Sequence, residues 1–119
     1  MRAIGIILAG GNNNRMRELS NKRAIAAMPI AGSYRSIDFA LSNMASSHIQ
    51  RVAVLTQYNA RSLNEHLNSS KWWDFGRKQG GLYVFTPTIT DDNGYWYRGT
   101  ADAIYQNLDF LRRCHEPYV

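Results

Sequence analysis

Cysteine is almost missing from the 119-residue chain, which contains only Cys114. One thiol can form neither an intrachain disulfide nor a cysteine-based zinc cluster, and such usage is typical of proteins in a reducing cytosol. Cys114 lies in a helical pattern, so we expect it to have a packing role. The three histidines show no metal-ligand spacing, and we interpret them as structural, which leaves no predicted metal site in this chain.

Long apolar runs are also missing. The longest run, at 4–9, is far shorter than the ~20 residues that a transmembrane helix needs, and the chain lacks the pattern of a signal peptide. We therefore predict a cytoplasmic protein without a membrane partner. The sequence contains no internal repeat, no low-complexity tract and no linker that would divide residues 1–119 into two domains.

Basic residues outnumber acidic residues by 14 to 9, which gives a formal net charge of +5. This balance suits an anionic ligand such as a phosphate, or nucleic acid, or serves solubility alone. The basic residues are scattered rather than gathered in a run, which argues against nucleic acid. A phosphate ligand and a plain solubility charge both remain open at this point.

The strand signals indicate a parallel sheet. Near-continuous apolar runs at 3–9 and 51–57 are typical of strands buried on both faces, and a third strand at 82–88 ends near an edge at Pro87. The final residues, EPYV, look like the first step of another strand. We therefore expect an incomplete sheet and a fragment of a longer domain.

The helix signals alternate with these strands. Apolar periodicity predicts helices at 33–46, 59–69 and 99–115, with N-caps at Ser33, Asn59 and Thr100. The residues DDNG between the last strand and the last helix predict a turn. Alternating strands and helices predict an α/β fold with a Rossmann-like, mostly parallel sheet flanked by helices.

The polar stretch after the first strand is the clearest functional signal. In ILAGGNNNRM, at 7–16, the apolar run stops at Gly10 and Gly11, and Arg15 follows. Glycines let backbone amides approach an anion, and a guanidinium suits phosphate oxygens. Ligands of parallel α/β sheets bind beyond the carboxyl ends of strands, where this loop lies. The alternative is an ordinary turn with a surface arginine, because the spacing matches neither a P-loop nor a dinucleotide fingerprint.

The same stretch resembles LAGGxGTR, the signature loop of sugar-phosphate nucleotidyltransferases. The blocks NKRA, SYRSIDFALSNM, VLTQYN, LNEHL and YWYRGTADAIYQNLDFLRR resemble bacterial ADP-glucose pyrophosphorylases (glucose-1-phosphate adenylyltransferases) in order and spacing, over nearly the whole chain. The resemblance implies the N-terminal part of a GT-A-like catalytic domain, without the family's C-terminal β-helix domain. It also implies synthesis of ADP-glucose and pyrophosphate from ATP and glucose 1-phosphate for glycogen, in a homo- or hetero-tetramer with a catalytic paralogue.

The resemblance also assigns roles to single residues. It implies that Arg15 is catalytic and contacts the ATP phosphates. It implies nucleotide binding by nine residues: Leu8, Ala9, Gly10, Gly11, Gln57, Tyr97, Gly99, Thr100 and Ala101. It implies effector binding by Lys22, Arg23 and Trp96. Each role has an alternative. Gln57 could simply end a strand, and Trp96 and Tyr97 could be packing residues. Lys22 and Arg23 could be an exposed basic pair.

The chain departs from the family pattern in the glycine loop and at Ile25. Asn13 and Asn14 replace a glycine and a threonine of the loop, although asparagine tolerates a left-handed backbone. Ile25 stands where the family has a lysine that faces the phosphates, and losing such a contact costs roughly 2–4 kcal/mol of transition-state stabilisation. The family reaction uses Mg²⁺, whose aspartate ligand we expect beyond Val119, so this fragment alone should be inactive. A catalytically weak regulatory subunit, which binds a nucleotide or a phosphorylated effector, is therefore the second hypothesis.

Overall fold

A computed structural model describes residues 2–10, 24–57, 60–69, 81–87 and 96–119. Within these ranges the strands are β1 (Ile4–Leu8), β2 (Pro29–Ile30), β3 (Tyr34–Arg35), β4 (Arg51–Leu55) and β5 (Gly81–Phe85). The helices are α1 (Ser36–Ser46), α2 (Ala60–Ser69), α3 (Thr100–Gln106) and α4 (Leu108–Arg113), and a 3₁₀ turn (Ile25–Ala27) precedes β2. None of the described helices is long and apolar enough to cross a bilayer.

The main sheet is parallel and has the strand order β1-β4-β5. Ile4 of β1 lies opposite Arg51 of β4, which in turn lies opposite Gly81 of β5. The short strands β2 and β3 pair separately as an antiparallel hairpin. The predicted α/β fold with a parallel sheet is therefore confirmed.

Strand β1 has hydrogen-bond partners on both of its sides. The N–H of Ala9, which directly follows β1, donates to the carbonyl of Leu55 in β4 at 2.8 Å. Because successive N–H groups of a strand point to opposite sides, the Ile4 N–H points away from β4, and it donates to the Tyr118 carbonyl at 2.9 Å. Ala3 and Tyr118 form a parallel bridge there, in agreement with the predicted strand start. Because β4 and Tyr118 lie on opposite sides of β1, the chain adds to the sheet on both sides of this strand. Ligands of parallel α/β sheets bind at such a point, beyond the carboxyl end of the strand.

An apolar core covers each face of this sheet. On β4, Val52 and Val54 face the core formed with α1 and α2, whereas Leu55 faces the core formed with α3. The first core consists of Ala9, Ala24, Ala27, Ile37, Leu41, Val52, Val54, Leu63 and Leu67. The buried residues of the second core are Leu55, Tyr97 and Ala103. Burial on both faces explains why β1 and β4 are apolar at nearly every position.

Aromatic packing fixes α4 against the outer strand of the described sheet. The ring of Phe110 lies 5.1 Å from that of Tyr83 and 4.8 Å from that of Phe85, both in tilted geometry. Offset and tilted aromatic pairs of this kind add about 0.5–1.5 kcal/mol to the burial of their area. Helix α4 is thus held against β5.

Helix α1 begins at Ser36, so the prediction of a helix start with Ser33 as N-cap is wrong. The two residues before α1 pair with β2 as β3, which requires an extended backbone. The N-cap is Arg35, whose N–H donates to Asp38 Oδ2 at 2.8 Å and whose Nη1 donates to the Ala27 carbonyl at 3.1 Å. Asp38 Oδ1 lies 2.6 Å from His66 Nε2 on α2, so one buried carboxylate links both helices.

Helix α1 ends in a left-handed cap without glycine. His48 has φ of 59°, a conformation that favours glycine. Its N–H donates to the Ala45 carbonyl at 3.1 Å, and the Ile49 N–H donates to the Met44 carbonyl at 3.0 Å. These two bonds define a Schellman motif. Its left-handed position is occupied by a histidine instead of the usual glycine, which strains the backbone at this turn.

The predicted single helix over 99–115 is wrong, because two shorter helices occur there. They meet at Asn107, whose N–H donates to the Ile104 carbonyl at 3.1 Å in a tighter 3₁₀-type turn. The N-cap of α3 is Gly99 rather than Thr100. The strands end earlier than predicted, at Leu55 and Phe85. The predicted Asn59 cap and the DDNG turn lie outside the described residues.

Candidate functional site

A cavity of about 260 Å³ lies at the carboxyl ends of β1 and β4. The end of β1, the end of β4 and the start of α3 each supply part of its wall. Its lining residues are Leu8, Gly10, Leu55, Gln57, Tyr97, Gly99, Thr100 and Ala103. Six residues that the sequence singles out for nucleotide binding therefore surround one cavity: Leu8, Gly10, Gln57, Tyr97, Gly99 and Thr100.

The side-chain amide of Gln57 joins two walls of this cavity. Its Nε2 donates to the Gly10 carbonyl at 2.9 Å, and its Oε1 accepts the Tyr97 N–H at 2.9 Å. A Cβ at position 10 would lie only 3.1 Å from Gln57 Cγ, so glycine allows this close approach. The amide uses its donor and its acceptor together, and it fixes the spacing between the segment after β1 and the segment before α3.

Tyr97 forms a buried part of the wall. It is 7 % exposed, and its hydroxyl accepts a hydrogen bond from Asn107 Nδ2 at 3.1 Å. Burial raises the pKa of Tyr97 above its ordinary value of 10.0; the Asn107 hydrogen bond opposes this shift and the nearby Asp102 charge supports it. The phenol is therefore neutral at physiological pH and acts as a wall and a hydrogen-bonding group rather than as a base.

The first turn of α3 is closed by Asp102. Its Oδ2 accepts the Arg98 N–H at 2.9 Å and the Gln106 side-chain amide at 3.0 Å. The carboxylate thereby satisfies a backbone donor at the helix start, as acidic residues in a first turn commonly do. Gly99 and Thr100, which border the cavity, are held at the beginning of an ordered helix.

A second cavity, of about 270 Å³, lies beside the other side of Leu8. Apart from one serine, its lining is apolar: Ile7, Leu8, Ala9, Ile25, Ala26, Ser36, Ile37 and Ala40. Ile25 thus borders an apolar space next to the end of β1. Its side chain supplies neither charge nor hydrogen-bond donors there.

The remaining predicted site residues lie elsewhere. Ala9 is buried in the first core, Ala101 is exposed on α3, and Trp96 is 48 % exposed; none of the three lines the 260 Å³ cavity. Six residues lie outside the described ranges: Gly11, Asn13, Asn14, Arg15, Lys22 and Arg23.

Two lining residues, Leu55 and Ala103, were missed by the motifs. Their positions carried a signal nevertheless. Leu55 lies two residues before Gln57, so the period of a strand directs both to one side. Ala103 lies about one helical turn after Thr100, so both lie on one helix face.

A larger cleft of about 670 Å³ lies at the opposite end of the sheet, beside the amino end of β4. Its charged wall includes Arg51, whose Nη1 lies 3.0 Å from Glu116 Oε2 in an ion pair. Ligands of open parallel sheets bind at the carboxyl ends of the strands, so this cleft lies at the other edge from the expected crevice. The 260 Å³ cavity is the better candidate for a ligand site.

The described residues do not provide a set of magnesium ligands. Within the ranges given above, no three side chains of His, Cys, Asp or Glu come together in a way that could hold a metal ion. The carboxylate beside the cavity, Asp102, is used by the helix start, and Asp38 is used by Arg35 and His66. The chemistry of these residues therefore does not fit a Mg²⁺ site.

Residues 4–119 match the family model described as nucleotidyl transferase. The chain belongs to the nucleotidyl transferase family. This nucleotidyl transferase chain is 47% identical over 116 residues to the glucose-1-phosphate adenylyltransferase of Clostridium kluyveri, covering 98% of the chain and 30% of that relative. It is 44% identical to the enzyme of the same name from Thermosipho africanus, covering 98% of the chain and 28% of that relative. The chain thus spans about 30% of the length of the C. kluyveri relative, and the resemblance stated from the motifs is confirmed.

Proposed function

We propose that this nucleotidyl transferase chain forms the nucleotide-binding part of a glucose-1-phosphate adenylyltransferase, which converts ATP and glucose 1-phosphate into ADP-glucose and pyrophosphate. The supporting observation is the cavity at the carboxyl end of β1, where Gln57 holds Gly10 and Tyr97 together. Under this proposal the protein acts in glycogen synthesis in the cytoplasm, as a homo- or hetero-tetramer. The name of the relatives supports the same reaction.

The size and lining of the cavity suit a nucleobase. Small-molecule sites commonly start near ~300 Å³ and combine apolar walls with a few polar groups. A volume of about 260 Å³ is enough for part of a nucleotide rather than all of it. Leu8, Leu55 and Ala103 offer apolar surface to a flat ring, and Thr100 offers a polar group to its edge.

The phosphates would then be bound by the segment that follows Gly10 in the chain. Backbone amides at Gly10 and Gly11 suit anionic oxygens, and Arg15 is proposed to hold the ATP phosphates while charge develops on the α-phosphoryl group. Attack by the sugar phosphate on this group is favoured by positioning and charge neutralisation. The aspartate ligand of Mg²⁺ is proposed to follow Val119.

The proposal is tested by ATP titration calorimetry and by pyrophosphate release from ATP and glucose 1-phosphate with Mg²⁺, using the full-length protein. We expect ATP binding that the Arg15→Ala variant weakens at least tenfold, equivalent to about 1.4 kcal/mol. The Arg61→Ala variant is the control, because Arg61 pairs with Glu65 on the exposed surface of α2. Absence of ATP binding by the folded wild-type protein would contradict the proposal.

One observation favours a second function, that of a catalytically weak regulatory subunit of the same enzyme. Ile25 borders an apolar cavity at the end of β1, where the family's lysine would bring a charge to the phosphates. A regulatory subunit would retain binding of a nucleotide or a phosphorylated effector, with Lys22, Arg23 and Trp96 as the proposed effector contacts. Full activity of the isolated protein would exclude this function, whereas activity only with a catalytic partner subunit would support it.

Replacing Ile25 tests whether the missing lysine is the cause of low catalytic activity. The Ile25→Lys variant should raise the rate of pyrophosphate release by about two orders of magnitude if a missing phosphate contact limits the reaction. The Ile25→Met variant keeps the apolar character and serves as the control. A rate that stays unchanged in Ile25→Lys would show that the lysine is not the limiting loss.

A further inference from the structure

Asn107 occupies the break between α3 and α4. Its backbone leaves helical geometry at φ −105° and ψ 16°, and α4 begins at the next residue. Its Nδ2 donates to the Ala103 carbonyl at 2.8 Å, which compensates a helix hydrogen bond that the break removes. Asparagine is a weak helix former because its side chain competes for backbone groups in this way.

The same Nδ2 has a second acceptor outside the helix. It donates to the hydroxyl of Tyr97 at 3.1 Å, ten residues earlier in the chain. Both of its acceptors belong to residues that line the 260 Å³ cavity, Ala103 and Tyr97. Asn107 itself does not line the cavity, so its influence on a ligand passes through these two residues.

Tyr97 is thereby anchored at both of its ends. Its backbone N–H is held by Gln57, and its hydroxyl is held by Asn107. Because the residue is 7 % exposed, a lost partner would leave a buried hydroxyl without its hydrogen bond and favour movement of the ring. The position of this wall therefore depends on a residue that none of the binding motifs includes.

We propose that Asn107 is a positioning residue of the nucleotide site, which holds the Tyr97 wall in place through the phenol hydroxyl. This inference rests on the proposed function, because it takes the 260 Å³ cavity as the place where the nucleotide binds. A purely structural role predicts a different result: the break in the helix would matter for folding, and the folded protein would bind nucleotide unchanged.

A double-mutant cycle on the full-length protein tests the proposal, with the dissociation constant of ATP measured by titration calorimetry. Asn107→Ala and Tyr97→Phe should each weaken ATP binding by about three- to tenfold. Because both remove one shared hydrogen bond, the double variant should bind ATP no more weakly than the weaker single variant. Tyr97→Phe removes only one hydroxyl, so it keeps the test valid if Asn107→Ala fails to fold.

Gln106→Ala is the matched control. Gln106 precedes Asn107 in the chain and also carries a side-chain amide, but this amide donates to Asp102 instead of Tyr97. We expect its ATP affinity to change by less than about twofold. Unchanged ATP affinity in Asn107→Ala or Tyr97→Phe, or effects that add fully in the double variant, would overturn the positioning role. A folded wild-type protein that binds no ATP would instead refute the proposed function, and this inference with it, so the two failures are told apart by the wild-type titration.

Discussion

The amide of Gln57 offers the most direct test of the cavity. Replacing Gln57 with alanine removes both hydrogen bonds that join Gly10 to Tyr97, each 2.9 Å long. The backbone carbonyl of Gly10 and the N–H of Tyr97 then lose their partners. We expect the two walls to separate in the free protein, so that nucleotide binding must first restore their spacing.

The size of the effect follows from these two contacts. A hydrogen bond contributes about 0.5–1.5 kcal/mol net, so two bonds give about 1–3 kcal/mol. Water can enter the open cavity and replace part of this energy, which leaves about 1–2 kcal/mol. Since that range corresponds to a factor of about 5–30, the dissociation constant of ATP should rise by this factor in Gln57→Ala.

The strand itself offers a matched control. Gln50 lies just before β4, whereas Gln57 lies just after it. Gln50 lines the 670 Å³ cleft at the opposite end of the sheet. Titration calorimetry should show normal ATP affinity for Gln50→Ala. Equal affinity in Gln57→Ala and the wild type, or an equal loss in both variants, would refute the reasoning that the Gln57 bridge shapes the site.

Three further predictions concern single positions. Gly10→Ala brings a Cβ to 3.1 Å from Gln57 Cγ, so calorimetry should show weaker ATP binding than in the wild type. The loss of affinity should be smaller than in Gln57→Ala. Unchanged affinity would show that the backbone at position 10 adapts to the added Cβ. His48→Gly relieves a φ of 59° and should raise the free energy of unfolding by about 1 kcal/mol in urea titrations, whereas a decrease would reveal compensating contacts of the imidazole. The raised pKa of Tyr97 implies that its contribution to stability is complete below pH 10.0 and is lost as pH rises through the folded pKa. Unfolding measured with wild type and Tyr97→Phe should therefore differ in slope only above pH 10.0, and equal slopes there would refute the effect of burial.

The sheet could be predicted because its signal is local. Runs such as Arg51–Leu55 are apolar at positions facing both cores, and only a strand covered on two faces needs this pattern. The cavity could be predicted in part, since Gly10 and Gln57 follow such strands and the carboxyl ends of parallel strands share one edge. The exact strand ends could not, because Thr56 and Gln57 continue the chain past the last ladder pair.

The misplaced helix boundaries have a different cause. Ser33 is a good N-cap by type, but the pairing of Tyr34–Arg35 with Pro29–Ile30 holds the chain extended up to Ser36. That pairing depends on a turn with positive φ at Ala31 and Gly32, which periodicity does not reveal. Asn107 likewise sits within a helical pattern, and its side-chain bonds to the Ala103 carbonyl and the Tyr97 hydroxyl both favour the break. Both boundaries were therefore set by strand pairing and side-chain hydrogen bonds, which apolar periodicity does not encode.

The bond from Ile4 to Tyr118 also bears on how the protein is made. On a ribosome, the first strand emerges long before the residue that completes its second edge. Pairing between such distant positions is slow, because closing the intervening loop costs entropy before the contact forms. The side of β1 that faces away from β4 therefore gains this hydrogen bond only after Tyr118 has been synthesised, and before that the described hydrogen-bond partners of β1 are those on β4.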